Sequence, residues 1–244
     1  DWLTQRGGMP VEIERLELEP PLRIRLHQVS IHDHEGVEMI GAREIRTRIP
    51  WSALQDIPQQ LVFGATTVDS LRLRLITHHK DTVMNINRWA EALTGKRTPS
   101  KSASSMEISF GVSHIRNGLF VLENRNRAPN SQAPFDANHL RIDSLKMELG
   151  GLLIDGSLVR ADINHLQGHD RSGLDLRHLY TDLEVTPDSM LFKNYKLQLP
   201  GSELTGQLKM LYKGYASWKD IFNKVIFEGT LDTSFIDFKD LEAF

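Results

Sequence analysis

The sequence predicts an all-β protein built on an antiparallel or meandering sheet. Three observations support this prediction. Short segments alternate between apolar and polar residues, turn residues separate these segments at roughly regular spacing, and only one stretch shows helical periodicity. Each predicted strand therefore has one apolar and one polar side. The apolar side of such a sheet must be covered by pairing, by rolling up, or by an apolar ligand.

The predicted strands share a repeated slip in phase. In Leu140–Leu149, two adjacent polar residues, Asp143 and Ser144, interrupt the alternation but leave the apolar set on one face. Such a slip indicates a bulge or a tight corner between two short strands. Val68–Leu73 repeats the pattern around its own Asp-Ser pair. Similar slips occur in three further segments: Val11–Leu18, Ile24–Ile31 and Leu174–Thr181.

One short helix is predicted near residues 85–94. Asn85 or Asn87 can cap its start, and Gly95 can end it. Its apolar residues fall on one helical face: Ile86, Trp89, Ala90 and Leu93. The small polar residues of Thr98–Ser105 predict a linker or mobile loop. We therefore expect an N-terminal β-region with the helix (1–97), the linker (98–105) and a continuing β-region (106–244).

Composition excludes several classes of function. The chain has 244 residues, a formal net charge of −3 and no cysteine. A nearly balanced charge argues against a nucleic-acid partner, because phosphate binding needs clustered positive charge. Without cysteine, disulfides and thiolate chemistry are excluded. No apolar run approaches the ~20 residues of a membrane helix. Because the chain opens at Asp1 rather than Met, we expect it to be a fragment of a longer protein.

Several stretches, taken in order, resemble the AsmA-like superfamily, and within it the TamB-like translocation and assembly module proteins of the Bacteroidota type. The resemblance covers most of the chain and depends on the order of short motifs rather than on any one of them. The stretches are Leu22–Ala42 (LRIRLHQVSIHDHEGVEMIGA), Val68–Leu75, Asn85–Leu93, Ser172–Leu179 (SGLDLRHL), Leu197–Gly206 (LQLPGSELTG) and Ser234–Leu241 (SFIDFKDL).

This resemblance implies an elongated, curved sheet rolled into an open trough, a β-taco, with an apolar interior. Such proteins are anchored in the inner membrane by one helix, which this fragment lacks, and span the periplasm. They are associated with phospholipid transport and with outer-membrane biogenesis. We therefore expect a non-catalytic periplasmic segment without a cofactor, with phospholipid acyl chains as ligands. A partner in outer-membrane assembly would bind regions outside the fragment.

The apolar stripe of the sheet has two interpretations. It is either an ordinary core, in which the sheet buries its own face, or a groove for acyl chains. A 16-carbon chain costs roughly 13 kcal/mol to carry bare through water, at ~0.8 kcal/mol per methylene, and a continuous apolar groove removes most of that cost. The predicted groove residues are Leu140, Ile142, Leu145, Met147, Leu149, Val159, Ile163, Leu197, Leu199, Leu204, Leu208 and Met210.

Other side chains suggest chemistry but are better explained as structural. The histidines occur in near pairs: His32 and His34, His78 and His79, His165 and His169. HxH on a strand is a candidate metal pair, but the HDHEG context predicts a solvated turn, and sequence spacing identifies no third ligand. His169 beside Asp170, Arg171 and Ser172 lacks the signature of a nucleophile and predicts a turn. Asp69 and Asp143 are interpreted as corner residues that cap local backbone.

The tryptophans are expected to have different roles. Trp89 is expected to pack in the helix interface, whereas Trp51 and Trp218 could mark a sugar site or a membrane interface.

Two other functions are considered. A second hypothesis is a scaffold for outer-membrane protein assembly that offers a β edge to client strands. A third, a β-helical carbohydrate-active enzyme, needs paired carboxylates that the sequence does not show.

Overall fold

The structure is a computed structural model that describes residues 9–51, 60–94, 107–129, 136, 138–155, 157–170, 173–214, 217 and 224–241. Most of these residues lie in strands, which confirms the all-β prediction. The elements in chain order are β1 (Val11–Glu19), β2 (Arg23–His32), β3 (Glu38–Arg48), β4 (Gln60–Phe63), β5 (Thr66–Asp69), β6 (Arg72–Thr77), α1 (Asn85–Thr94), β7 (Glu107–Phe110), β8 (Ser113–Asn124), β9 (His139–Asp155), β10 (Leu158–Asp170), β11 (Asp175–Leu176), β12 (His178–Val185), β13 (Ser189–Gln198), β14 (Glu203–Leu211), β15 (Ile226–Leu231) and α2 (Phe238–Leu241).

All fifteen described strands belong to one sheet. Its main order is β1-β2-β3-β5-β8-β9-β10-β12-β13-β14-β15, so most neighbours in space are also neighbours in sequence. The expectation of a wholly antiparallel sheet is wrong at one seam, where β4 pairs with β7, and β5 and β6 pair with β8, all in parallel. Parallel pairing requires a crossover between the two strands, and α1 is the described part of that crossover.

The parallel seam keeps one register throughout. Gln60 lies opposite Glu107, and Thr77 lies opposite Asn124, the same offset of 47 residues at both ends. The segments 60–77 and 107–124 are therefore two long bent strands laid side by side. Because β5 and β6 each pair with both β3 and β8, the ladders also form a closed circuit of four strands. The open trough stays a prediction.

Left-handed residues mark the corners where the strands bend. Ser70 and Ser144 both have φ of 55°, and Asn117 and Gln28 have φ of 53° and 47°. Each lies where the pairing between neighbouring strands skips a position. A residue at positive φ lets the strand turn without sending the following apolar residues to the other face. The predicted corners at the two Asp-Ser pairs are therefore confirmed.

The aspartates at these corners bond to side chains rather than to local backbone, contrary to the sequence interpretation. Asn117 Nδ2 donates to Asp69 Oδ1 at 3.0 Å, and Arg43 donates to the other oxygen. The hydrogen bond from Asn117 is the largest influence that lowers the pKa of Asp69. Asp143 accepts from Arg141 Nε at 3.0 Å. The Asp69 carboxylate thus joins neighbouring strands at its corner, whereas that of Asp143 holds a side chain of its own strand.

Helix α1 packs on apolar side chains of the sheet near its β1 edge. Ile86 and Trp89 pack against a cluster formed by Met9, Ile31 and Met39, which confirms the packing role predicted for Trp89. The side chains of residues 90–94 lie outside the described residues.

Asn85 is the first residue of α1 and links it to the sheet. Its Oδ1 accepts hydrogen bonds from the backbone N–H of Ile86 at 2.8 Å and of Ile76 in β6 at 3.0 Å. Asn85 is therefore a tether between the helix and the strand before it, whereas Met84, whose C=O accepts from the N–H groups of Asn87 and Arg88, occupies the cap position. Of the three predicted parts, the linker at 98–105 lies outside the described residues, and strands from both flanking parts share the one sheet.

In an ordinary strand, glycine destabilises the fold and valine does not. We predict the reverse order at the corner residue Ser144. Ser144→Val should lower the free energy of unfolding by about 1–2 kcal/mol, because a β-branched residue resists positive φ. Ser144→Gly should change it by less than about 0.5 kcal/mol, since the relieved strain offsets the added entropy of the unfolded chain. Urea denaturation measures both values.

The exposed Lys146, two residues along the same strand, provides the control because its φ is not positive. There Lys146→Gly should cost about 0.5–1 kcal/mol, and Lys146→Val should be close to neutral. The same order of effects at both positions would contradict the left-handed corner.

Candidate functional site

Apolar side chains form continuous rows across the sheet, because residues opposite each other in a ladder point to the same face. One row crosses eight strands: Leu61, Ile108, Ile154, Val159, Val185, Met190, Met210 and Phe227. The next row crosses seven strands: Phe63, Phe110, Leu152, Ala161, Leu183, Phe192 and Leu208. We call the surface formed by these rows and the groove residues the apolar face.

A third row extends the apolar face to the other edge of the sheet. It consists of Leu16, Leu26, Ile45, Val68, Ile115, Met147 and Leu166. At the parallel seam, Phe63 and Phe110 stack with ring centroids 4.8 Å apart. Since these two residues are in register, the seam continues the apolar face instead of interrupting it.

The groove residues predicted from sequence are at most half-exposed in the structure. Four of them are buried: Leu145, Leu149, Ile163 and Met210. The other eight are half-buried: Leu140, Ile142, Met147, Val159, Leu197, Leu199, Leu204 and Leu208. Partial burial of so many large apolar residues means that neighbouring side chains on the sheet cover part of each one and leave the rest accessible.

The structure brings some groove residues into two clusters. Leu149 and Ile163 form the first, together with Met147 and other residues of β9, β10 and β12. Met210 and Leu208 belong to the second, whose further members are Met190, Phe192, Tyr212 and Val225. Both clusters consist of residues close together along the sheet, so the contacts follow the strands and their immediate flanks.

The remaining groove residues lie apart from these clusters. Leu140 and Ile142 lie beyond the corner in β9, opposite Leu122 and Phe120. Leu199 sits in the β13–β14 hairpin, where its N–H donates to Ser202 O at 2.9 Å. The rest pair across ladders: Leu145 is opposite Gly118, Val159 opposite Ile154 and Val185, and Leu197 opposite Leu179 and Leu204. Their role in lining a lipid groove stays a prediction.

Sequence analysis missed most of the apolar rows, because the predicted groove contains only four of their 22 residues: Met147, Val159, Leu208 and Met210. The missed residues include Leu61, Phe63, Ile108, Phe110, Leu152, Ile154, Leu183, Val185, Met190 and Phe192. Most follow the same alternation as the predicted set, so the signal was present. What the alternation alone does not supply is the register that aligns these strands with one another.

The opposite face of the sheet is polar and carries ion pairs. Arg160 Nε donates to Glu184 Oε2 at 3.0 Å, and Lys196 pairs with Glu203. His165 and His178 also meet on this part of the sheet, with their Nδ1 atoms 2.6 Å apart. The proximity of His165 contributes, after burial, to lowering the pKa of His178.

The HDHEG segment forms a turn, but it is not simply solvated as expected. Asp33 is only 2% exposed and His78 is fully buried. His78 Nε2 donates to Asp33 Oδ2 at 2.7 Å, and Asn85 Nδ2 donates to the same oxygen at 3.0 Å. The buried carboxylate therefore joins the β2–β3 turn to the end of β6 and to α1. Sequence spacing missed this contact because Asp33 and His78 are 45 residues apart.

Opposing influences act on the Asp33 carboxyl group. Burial raises its pKa, but hydrogen bonds from His78, Asn85 and the backbone of Val37 and Glu35 outweigh burial and hold the pKa below its usual value. Its ionised form thus stabilises the folded protein.

The structure describes some of the other residues considered for chemistry. Strand β10 ends at Asp170 and its neighbour β11 begins at Asp175, which confirms a turn between them; Arg171 and Ser172 lie outside the described residues. Trp51 is 69% exposed, and Trp218 lies outside the described residues.

Comparison of the sequence with protein-family models and with curated proteins finds no match. The likeness to AsmA-like and TamB-like proteins therefore stays a prediction. Within the described ranges, neither helix is both long and apolar enough to cross a membrane.

We predict that Asp33→Asn lowers the free energy of unfolding by roughly 2–3 kcal/mol at neutral pH, because the amide N–H₂ replaces an acceptor that two donors require. The folded-state pKa of Asp33 lies below its ordinary value of 3.8. The stabilisation is therefore complete above pH 3.8 and disappears as the pH falls through the folded-state pKa. Chemical denaturation of both proteins between pH 7 and pH 2 measures this convergence.

The matched control is Asp143→Asn, whose carboxylate is half-exposed and paired with Arg141. This change should cost less than about 0.5 kcal/mol at neutral pH. A loss at Asp33 no larger than that at Asp143 would show that the buried network contributes little to stability.

Proposed function

We propose that this chain is a non-catalytic periplasmic segment of an envelope-spanning AsmA/TamB-like protein, in which the apolar face shields phospholipid acyl chains during transport between the inner and outer membranes. The continuity of the apolar rows across the parallel seam carries this proposal. In this proposal the parent protein is anchored in the inner membrane by one helix. Contacts with an outer-membrane assembly partner would involve regions outside it.

The length of the rows suits an acyl chain. The eight-strand row crosses seven strand spacings, which gives about 34 Å at ~4.8 Å per spacing. The hydrocarbon of one membrane leaflet is about 15 Å thick, half of the ≈ 30 Å bilayer core. One row is therefore long enough to accept an acyl chain lying across the strands, and neighbouring rows widen the surface.

Exposed apolar residues at both edges of the sheet support an incompletely covered apolar face. Leu16 of β1 is 54% exposed, and Phe227 of β15 is 48% exposed.

The corners support a rolled shape. Four residues bend the backbone through the same left-handed conformation. They lie on β2, between β5 and β6, on β8 and on β9: Gln28, Ser70, Asn117 and Ser144. Bends on adjacent strands add up to a crease, and a crease in a twisted sheet curves it around one face. The face that keeps the apolar residues through each corner is the one proposed to line the trough.

The cavities favour binding on an open face over binding in a closed pocket. A cavity of ≈ 300 Å³ is lined mainly by polar residues of β1–β3 and by Arg72. A second of ≈ 320 Å³ lies at the β13–β14 hairpin and contains one groove residue, Leu199. A ligand with long apolar chains would therefore rest on the rows themselves.

The proposal predicts that the purified chain carries phospholipid and that Leu208→Asp lowers the lipid content several-fold. A carboxylate at this position places a charge in the middle of a row, where contact with an acyl chain would desolvate it. Gln207→Asp is the matched control, because Gln207 is the exposed neighbour on the opposite face and the charge change is the same. Native mass spectrometry and lipid extraction measure the lipid content of each protein.

Thermal unfolding of both variants shows whether Leu208→Asp has kept the fold. If the variant unfolds, a second experiment replaces it. A photo-crosslinking residue is introduced at Met147 in the otherwise unchanged chain, and lipid adducts are expected at that position. Absence of lipid from the wild-type chain, together with absence of lipid adducts at Met147, would exclude the function for this segment.

A second candidate function is a scaffold for outer-membrane protein assembly, favoured by the edge strand β15. All six residues of β15 are exposed, and in the described part of the chain this strand pairs only with β14. An exposed edge with apolar residues can accept a further strand by β-augmentation. The opposite edge, β1, differs because Glu12, Glu14 and Arg15 place charges along it.

The scaffold function predicts that a photo-crosslinking residue in place of Thr230 gives protein adducts in intact cells, because Thr230 lies on the exposed edge. The same probe in place of Glu14 on the charged edge should give few, which makes it the control. Protein adducts that are equally abundant at both edges would indicate non-specific contact. Lipid adducts at Met147 without protein adducts at Thr230 would favour the lipid function.

A further inference from the structure

A compact cluster of histidine and carboxylate side chains lies where β6 ends, away from the groove residues. One candidate ligand atom from each of Asp33, His34 and His78 lies within 4.8 Å of the other two. We propose that these three side chains bind a divalent transition-metal ion, with Zn²⁺ as the reference ion. Imidazole nitrogen and carboxylate oxygen are ligands that zinc accepts, and a neutral imidazole binds such ions more readily than hard cations.

The ligand atoms fit a tetrahedral ion after a small adjustment. Bonds of about 2.0–2.2 Å place the ligands of a tetrahedral ion about 3.4 Å apart. His78 Nε2 and Asp33 Oδ2 are 2.7 Å apart, so the ion takes the place of their hydrogen bond and separates them slightly. The proton on Nε2 is released to solvent when the metal binds. His34, whose side chain is 31% exposed, is the ligand with room to move.

Each imidazole is already oriented by a carboxylate, as metal-bound histidines usually are. His78 Nδ1 donates to Glu35 Oε2 at 2.9 Å, which leaves Nε2 for the ion. His34 Nε2 donates to Asp81 Oδ2 at 3.0 Å, which leaves Nδ1 for the ion. The two rings meet edge to face, with centroids 5.1 Å apart.

Charge around the cluster favours a cation. Three carboxylates face it, from Asp33, Glu35 and Asp81, against two guanidinium groups. Arg88 pairs with Asp81, and Arg125 lies 3.3 Å from His78 Nδ1 while also pairing with Glu123. Once His78 has lost its Nε2 proton, both imidazoles are neutral and the protein groups of the cluster carry one net negative charge. With three protein ligands, the fourth position remains for water.

Zn²⁺ titration of the chelator-stripped 244-residue chain tests the proposal, with isothermal titration calorimetry as the measurement. One ion per chain is expected, with a thermal unfolding midpoint that rises with Zn²⁺ concentration. His34→Ala should weaken binding by at least about tenfold and should keep the fold, because His34 is partly exposed. Asp81→Asn should weaken binding less, since Asp81 orients His34 without binding the ion.

The matched control is His165→Ala, which removes one ring of the other close histidine pair in the described chain. This variant should bind Zn²⁺ as the wild type does. The proposal is overturned if the wild type shows no saturable one-to-one binding, if His34→Ala binds normally, or if His165→Ala loses as much affinity as His34→Ala. None of these outcomes depends on lipid, so the test is independent of the function proposed for the apolar face.

Discussion

The fold depends on one steric constraint, which is that a strand that bends must keep its apolar side chains on the same face. Side chains alternate with a period of two, so an ordinary one-residue slip would send the second half of a strand to the wrong side. A single left-handed residue at Ser70, Asn117 or Ser144 corrects the phase while turning the chain. Each left-handed residue costs conformational free energy, and in return the apolar face stays continuous through the bend.

The parallel seam aligns the corners of neighbouring strands with one another. Because the offset between 60–77 and 107–124 does not change along the seam, the corner at Ser70 lies beside the corner at Asn117. Asp69 fastens the two strands at this point through Asn117 and Arg43. A slip of one residue between these two strands would misalign both the corners and the stacked Phe63 and Phe110. The Asp33 network at the end of β6 holds that crossover in place.

The sequence was sufficient for the local parts of this arrangement and insufficient for the distant ones. Alternation and the Asp-Ser pairs predicted most of the strands and the two corners, because these features are encoded within a few neighbouring residues. The parallel seam was not predicted, since nothing local distinguishes a strand that pairs with its hairpin partner from one that pairs after a crossover. Likewise, HDHEG was placed in a turn correctly, but the burial of Asp33 depends on His78 and Asn85, which only the fold brings near.

For the proposed lipid function, a half-covered apolar face would have an energetic advantage over a closed cavity. Complete burial of a 16-carbon chain would stabilise the complex by roughly 13 kcal/mol, at ~0.8 kcal/mol per methylene. A row of half-buried residues such as Val159 and Leu208 would cover one side of the chain and recover about half of that, roughly 6 kcal/mol. This corresponds to dissociation constants of roughly tens of micromolar before ordering costs. Binding of this strength would keep an acyl chain from water and still let it move from one row to the next.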